Sequence, residues 1–336
     1  MGVIMKIIDY TENMPILKPC AVRGMPIEAY HRHPALSESG LKTLIDCPAR
    51  YYYKYLSGEY EAKERPSFKI GKACHKYILE GEEAFKSEYW HNPYTENTKA
   101  ELLEILKAKY NIELPKTSLV CHVMDTLLEK EGIDPKPIHL NKNELNQVIG
   151  TSRAIKNNTK AYNAFHQKGE SEISLFWVDD ETGLLLKCRP DFLPQDHKLV
   201  PDYKTCSSVN PYTFYKDFFY YGYHIEAAMY MKGIQAVFGD EVETFFFVAQ
   251  EKEPPYITQV FVPDMGFIAY GEKAVRLGIN KYIECQEKGI WPSYSEDVVE
   301  LTIIPKPDDL VNDFDKETSI CYAPKWLDHE LLKYED

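Results

Sequence analysis

The hydrophobic pattern of this 336-residue chain changes its period near residue 172, and that change constrains the fold more than any other feature. Upstream, apolar residues recur at helical spacing, whereas the following segment alternates as a β-strand does. Glu172–Val178, Leu184–Phe192 and Lys198–Lys204 are predicted strands, separated by the turn signals Asp179–Gly183 and Pro194–His197. Because the second connection is short, we expect the last two strands to pair as an antiparallel hairpin.

Helical patterns surround these strands. Ser37 is a predicted N-cap, and Pro48 suits the first position of the next helix. Further helices are predicted at about 68–79, 82–89, 99–110, 120–130, 143–157, 211–238 and 266–288, and further strands at about 244–250 and 256–262. The predicted fold class is α/β, with a mixed β-sheet flanked by helices and a helical N-terminal part.

The sequence predicts one domain over residues 36–295. Residues 1–35 are expected to form an extended lead-in, and residues 296–336 a C-terminal tail that packs on the domain. Within the domain, residues 91–140 hold helical patterns joined by proline-containing loops, which makes them a candidate for an insertion.

The chemistry of the predicted strands is concentrated in two carboxylates and one lysine. Side chains alternate between the faces of a strand, so Asp202 and Lys204 point to the same side. If the two strands pair, Asp191 converges with Asp202 on one metal ion. Hard oxygen ligands of this kind select Mg²⁺ or Mn²⁺. A lysine beside such an ion can orient or deprotonate a water and stabilise negative charge, as phosphodiester hydrolysis requires.

Two further residues fit the same site. Glu172 stands near the start of the first strand and can supply another carboxylate. His75 lies in an apolar helix next to small residues, which permit close approach to a sheet. By itself His75 is more typical of a core histidine than of a ligand. Combined with the carboxylates and Lys204, it is a candidate metal ligand.

The charge balance excludes a broad basic coat for nucleic acid. Lysine and arginine total 39 against 52 aspartates and glutamates, a formal net charge of −13. DNA affinity would therefore need a local basic rim, whose phosphate contacts make binding depend on salt. The candidates for this rim are Arg50, Lys54, Lys69, Lys72, Lys187 and Arg189.

The eight cysteines are scattered singly, without a C-x-x-C pair. This spacing favours free thiols in a reducing cytoplasm over a zinc or iron–sulfur site. No run approaches the roughly 18 apolar residues of a membrane helix, and no signal peptide is recognisable. We therefore expect a cytoplasmic protein.

The order of five segments resembles a known nuclease family. They are GKACH (71–75), the strand that begins at Glu172, WVDDETGLLLKCRPD (177–191), PDYKT (201–205) and YHIEAAMY (223–230). Together they resemble the PD-(D/E)xK, or restriction-endonuclease-like, superfamily in its RecB-like branch. Within that branch they are most similar to the exonuclease domain of RecE (exodeoxyribonuclease VIII) and its prophage relatives.

The resemblance implies a role for each matching residue. It makes His75, Asp191, Asp202 and the Tyr203 carbonyl metal ligands, Lys204 the catalytic lysine, Glu172 an acidic support of the site, and Tyr230 and Glu226 substrate-binding residues. Arg189, a candidate of the basic rim, is a further predicted substrate-binding residue. Glu226 departs from the glutamine of the family's Gln-x-x-x-Tyr motif. A carboxylate there is expected to repel phosphate unless it is protonated or bound to metal.

The resemblance also implies an activity. Such enzymes use Mg²⁺, with Mn²⁺ as a substitute, to degrade one strand of linear double-stranded DNA from a 5′ end. The 3′ single-stranded tail serves a RecT-like annealing protein in phage recombination, and the enzyme is a ring-shaped homo-oligomer. Two alternatives remain open: a RecB-like nuclease acting on single-stranded DNA, and a non-catalytic DNA-binding module of the same fold.

Overall fold

The computed structural model describes residues 7–16, 19–61 and 66–294, without the side chains of residues 66–68. The expected C-terminal tail at 296–336 lies outside these residues. The strands are β1 (Ile7–Asp9), β2 (Cys20–Arg23), β3 (Leu36–Ser37), β4 (Tyr89–His91), β5 (Ile138–Leu140), β6 (Gly169–Ser171), β7 (Ser174–Val178), β8 (Leu185–Cys188), β9 (Phe192–Pro194), β10 (Leu199–Cys206), β11 (Thr244–Glu251) and β12 (Thr258–Phe261).

Two of the helices begin at N-terminal signals that the sequence analysis identified. The helices are α1 (Ile27–Arg32), α2 (Glu38–Asp46), α3 (Pro48–Tyr51), α4 (Pro66–His75), α5 (Gly81–Glu88), α6 (Lys99–Tyr110), α7 (Val120–Glu131), α8 (Lys142–Asn157), α9 (Thr159–Phe165), α10 (Pro211–Tyr220), α11 (Tyr223–Phe238) and α12 (Met265–Lys288), with π-helical turns at Tyr52–Leu56 and Lys76–Glu80. Ser37 caps α2 by accepting the Gly40 N–H, and Pro48 opens α3, both as predicted.

The principal sheet is mixed, which confirms the predicted fold class. Its strand order is β1-β2-β7-β8-β3, with β2–β7 and β7–β8 antiparallel and the two outer pairs parallel. On one face, Leu175 and Trp177 of β7 pack with residues of α2, α11 and α12 in the main core. On the other face, Phe176 packs with the segment around Met25 and Tyr30. This alternation is the one that the period-2 pattern predicts.

The expected extended lead-in at residues 1–35 is therefore integrated into the sheet. It supplies β1 and β2, and β2 pairs with β7 in the interior of the sheet. Ala21 and Val22 are fully buried, one against each face of the sheet.

The described part of the chain divides into two compact units. Unit 1 is formed by the described residues of Met1–Lys63, His166–Ala249 and Gln259–Asp336, and unit 2 by those of Glu64–Phe165 and Gln250–Thr258. Unit 2 contains the parallel pair β4–β5 and a small separate core between α6 and α7. The expected insertion at 91–140 falls within unit 2.

The prediction of one long helix over 211–238 was wrong. The segment is split into α10 and α11 at Gly222, whose φ of 66° is left-handed and incompatible with a continuous helix. The split makes α11, which carries Glu226 and Tyr230, a separate helix from α10. None of the helices in the described ranges is both long and apolar enough to cross a lipid bilayer.

Candidate active site

Strand β10 places an acid and a lysine in direct contact inside unit 1. Lys204 Nζ lies 2.5 Å from Asp202 Oδ2, on the same side of the strand as the alternation predicts. The Asp202 side chain is completely buried. Apart from this contact with Lys204, neither of its oxygens has a hydrogen-bond partner among the residues that the structure describes.

A buried carboxylate in this state is costly for the protein. Burial raises the pKa of Asp202 well above its ordinary value, and neighbouring Asp191 and Glu226 raise it further against the opposing effect of Lys204. A divalent cation would offset both the lost hydration and the acid–acid repulsion. The donor set therefore fits a hard divalent metal ion.

Asp191 reaches this site by a route that the sequence analysis did not predict. Its Oδ2 accepts the backbone N–H of Tyr203 in β10 at 2.7 Å. The expected hairpin between the two strands was wrong: β8 lies in the sheet between β7 and β3, whereas β10 pairs with β11. Pro190 has no N–H to continue the β8 ladder, and the Asp191 carboxylate supplies the connection to β10 instead.

Glu172 stands beside Asp191 in an unusual backbone conformation. Its φ is 55°, in the left-handed region, and its N–H donates to the Asp191 carbonyl at 3.1 Å. The predicted strand therefore starts only at Ser174. Carboxylate oxygens of Glu172 and Asp191 lie within 4.8 Å of each other, near enough to share one ion. A strained non-glycine residue at such a place is typical of functional sites.

Lys204 is surrounded by acids. Burial alone would lower its pKa, but Asp202, Glu226 and Asp191 outweigh it and raise the pKa well above the ordinary value. Its Nζ also lies 5.1 Å from the centre of the Tyr223 ring. In the metal-free protein Lys204 is thus a protonated cation, which suits it to stabilising negative charge.

Glu226, the departure from the family's glutamine, accepts hydrogen bonds from three side chains. Oε1 accepts from Lys204 Nζ at 2.9 Å and from the Tyr230 hydroxyl at 3.1 Å, and Oε2 accepts from Lys42 Nζ at 3.1 Å. Burial tends to raise the pKa of Glu226, but the two lysines prevail and lower it to about 2. The carboxylate is therefore ionised and paired, a solution that the sequence analysis did not consider.

Lys42 is the residue of this site that sequence reasoning missed. It lies on α2, 184 positions before Glu226. No local pattern marks Lys42. The only available signal was Glu226 itself, because a buried carboxylate needs a cation nearby.

Lys187 and Arg189 do not lie on a basic rim. Lys187 is 3% exposed and its Nζ donates to the carbonyls of Tyr30 and His33. Arg189 is 9% exposed and donates to the Ser174 hydroxyl and the Met25 carbonyl. Both anchor the segment before α2 onto the sheet, so the substrate-binding role expected for Arg189 finds no support in these contacts.

The other residues predicted for the basic rim or the metal site lie in different parts of the structure. Arg50 is exposed and pairs with Asp46, whereas Lys69 donates to Glu144 and the His139 carbonyl within unit 2. His75 is the last residue of α4 in unit 2 and is half-buried. Its role as a ligand, and that of the Tyr203 carbonyl, stay predictions.

Most of the chain matches the model of one protein family. Residues 37–301 match the model described as a PDDEXK-like domain of unknown function (DUF3799). No curated protein matches the chain.

Solved structures give a similar fold at low identity. A candidate exonuclease from Eubacterium rectale aligns over 85% of this chain and 96% of its own, with 14% identity and a TM-score of 0.52. A protein called SSO0001 aligns over 65% and 85%, with 11% identity and a TM-score of 0.26. An alkaline exonuclease from Laribacter hongkongensis aligns over 66% and 96%, with 14% identity and a TM-score of 0.24. The first similarity supports a shared fold.

Proposed function

The chain belongs to the family of PDDEXK-like domains designated DUF3799, and from this premise we propose that it is a metal-dependent deoxyribonuclease. One observation carries the proposal. The fully buried Asp202 carboxylate has no hydrogen-bond partner among the described residues apart from its contact with Lys204, and Asp191 lies close by. Without a catalytic function, the protein would gain stability by replacing such a group.

Asp191 and Asp202 are the proposed metal ligands, with Glu172 beside Asp191. His75 and the Tyr203 carbonyl are proposed to complete the coordination on the basis of the family resemblance. Mg²⁺ is the proposed ion and Mn²⁺ its substitute, because all the carboxylate ligands are hard oxygen donors. When bound, the ion polarises a phosphoryl oxygen and lowers the pKa of water.

Lys204 supplies a fixed positive charge in this mechanism. Its Nζ is held between Asp202 and Glu226, and as an ammonium group it can donate hydrogen bonds to the attacking water or to a phosphoryl oxygen. Negative charge accumulates on the phosphate in the transition state, and a pre-oriented ammonium group stabilises it there without reorganisation. The proton released by the attacking water passes to solvent or to the leaving oxygen of the substrate.

The finer assignment follows the resemblance to RecE-like exonucleases. We propose 5′-to-3′ digestion of linear double-stranded DNA in the cytoplasm, with the 3′ single-stranded tail passed to a RecT-like annealing protein. A homo-oligomeric ring enclosing the duplex would add affinity through multivalency despite the acidic chain.

Digestion of linear duplex DNA, labelled separately at each 5′ and 3′ end, tests the proposal. With Mg²⁺ we expect loss of the 5′ labels and survival of closed circles. Lys204→Ala should lower the rate by about 100- to 1,000-fold, the usual cost of losing one stabilising donor. Lys198→Ala, at an exposed ion pair with Glu243, is the matched control.

Other outcomes have definite meanings. Cleavage of closed circles would indicate an endonuclease, and exclusive digestion of single strands the RecB-like alternative. If no DNA is digested with Mg²⁺ or Mn²⁺, the chain is a non-catalytic module and the proposal is wrong.

A further inference from the structure

Lys42 and Lys204 each donate a hydrogen bond to a different oxygen of the Glu226 carboxylate. Lys204 contacts Oε1 of Glu226 and Lys42 contacts Oε2, with 11% of the Glu226 side chain and 23% of the Lys42 side chain exposed. Lys204 at the same time contacts Asp202. The four groups form a chain of alternating charge, in the order Lys42, Glu226, Lys204 and Asp202.

The position of Lys42 is fixed by packing around its stem. A Cβ atom at Gly222 would lie 3.1 Å from Cγ, Cδ and Cε of Lys42, closer than ordinary van der Waals contact, so the lysine stem packs tightly over this glycine. Gly222 also has a left-handed φ of 66° at the start of α11. The Lys42 ammonium lies 6.0 Å from the centre of the Tyr223 ring. Lys42 is thus held against the same turn of α11 that presents Glu226.

The charges of the neighbouring side chains explain why Glu226 needs its contact with Lys42. Two lysines balance Glu226 and Asp202. Without Lys42, Glu226 would draw Lys204 away from Asp202, because both acids would compete for one ammonium group. An unbalanced carboxylate would also face the approaching phosphate and repel it.

We propose that Lys42 is a positioning residue that acts through Glu226 to keep Lys204 against Asp202. In this reading, the pair Lys42–Glu226 replaces the neutral glutamine of the motif that the chain resembles. The inference rests on the proposed nuclease function for its catalytic part only, since the charge chain is a property of the folded protein.

The test compares Lys42→Met, Glu226→Gln and the double variant. For Lys42→Met we expect kcat to fall about 10- to 100-fold, because one partner of a largely buried ion pair is removed. Glu226→Gln alone should lose only a few-fold. The double variant should recover to the level of Glu226→Gln, because the charge that Lys42 balances is gone. Lys42→Arg, which keeps the positive charge, should restore most of kcat.

Binding of Mn²⁺, measured by calorimetry without DNA, gives a readout independent of activity. Lys42→Met should bind Mn²⁺ about three- to tenfold more tightly, since it makes the site more negative and frees Asp202 from Lys204. The double variant should return to the wild-type affinity. The matched controls are Lys198→Met, Glu243→Gln and their double variant, at the exposed ion pair between these two residues. They should change neither kcat nor the affinity for Mn²⁺.

Two results would overturn the inference. If the rate losses of Lys42→Met and Glu226→Gln simply multiply, Lys42 acts on DNA directly and not through Glu226. If Lys42→Met binds Mn²⁺ more weakly, its role is only structural. A wild-type protein that digests no DNA, but shows the Mn²⁺ effect and its suppression, would refute the proposed function and uphold the charge chain.

Discussion

Asp202 is the residue where stability and proposed function conflict most directly. Its carboxylate is fully buried and, apart from its contact with Lys204, has no hydrogen-bond partner among the described residues, so its burial costs free energy until a divalent cation binds. A protein optimised for stability alone would place a neutral group there.

We therefore predict that Asp202→Asn does not lower the melting temperature in metal-free buffer but abolishes stabilisation by Mn²⁺. For the wild type, Mn²⁺ at a hundred times its Kd should stabilise the fold by about 2.7 kcal/mol. Thermal unfolding with and without Mn²⁺ measures both effects, with Asp196→Asn in the exposed turn before β10 as control. An unchanged Mn²⁺ shift in Asp202→Asn would contradict the prediction.

His224 is predicted to make stability depend on pH. Burial, with a contribution from Lys42, lowers the pKa of His224 from 6.5 to about 4 in the folded protein. The stability that its neutral form provides is complete above pH 6.5 and is lost as the pH falls towards 4. The loss should reach roughly 3 kcal/mol.

Urea unfolding at pH 7 and pH 4.5 measures this loss, and His224→Phe should remove it. The substituted ring would pack beside Phe218 and Tyr270, as the imidazole does. The same substitution at exposed His122 should change nothing. Equal acid destabilisation in wild type and His224→Phe would show that other groups carry the effect.

At the scale of elements, the crossing of α11 and α12 depends on one glycine. A Cβ atom at Gly271 would lie 2.1 Å from the carbonyl oxygen of His224, a backbone atom that cannot move aside. At Gly278 of the same helix, an added Cβ would meet side-chain atoms, the tip of Leu41 at 2.9 Å and Ile45 at 3.4 Å. The two positions therefore form a natural pair for comparison.

We predict that Gly271→Ala lowers the free energy of unfolding by about 1–3 kcal/mol, as overpacking does. It should also lower nuclease activity, because α11 carries Glu226 and Tyr230. Gly278→Ala should cost less, because alanine favours the helix by about 1 kcal/mol and the Leu41 side chain can shift. Denaturant unfolding compares them, and equal losses would show that the backbone contact is not limiting.

Strands and helix starts could be predicted where a local sequence pattern determines them. The period-2 pattern predicted β7, β8 and β10, and Ser37 and Pro48 predicted the starts of α2 and α3. The pairing of β10 was not predictable, because strand partners are chosen by packing across the whole sheet. The prediction that Asp191 and Asp202 converge depended on a hairpin that does not form, and a hydrogen bond to the Tyr203 N–H connects the two segments instead.

At the scale of the whole molecule, the chain and its proposed DNA substrate are both negatively charged. With a formal charge of −13, the proposed DNA binding would have to come from a few local cations and the proposed metal ion, and not from a broad positive field.

We predict a steep salt dependence for binding of a short duplex to Lys204→Ala in the presence of Mn²⁺. Four to six phosphate contacts would weaken binding by about 100- to 2,000-fold between 50 and 200 mM salt, following the counterion slope. Fluorescence anisotropy measures this affinity. An affinity that hardly changes with salt would exclude phosphate contacts as its main source.

The site also could not be assembled from sequence at this scale. Lys42 and Glu226 are 184 positions apart, and only the complete fold brings them together. The resemblance predicted the metal ligands and the catalytic lysine, whereas the pairing of Lys42 with the substituted Glu226 depends on the tertiary fold.

The pairing of β2 with β7 has a consequence for how the chain is made. Cys20 of β2 faces Phe176 of β7, and the residues of unit 2 at 64–165 are synthesised between them. At about 5–20 residues per second, the ribosome needs roughly 8–30 seconds to supply the missing neighbour. During that interval the apolar strand β2 has one open hydrogen-bonding edge, so newly synthesised chains should be most vulnerable to aggregation, and most dependent on chaperones, before β7 emerges.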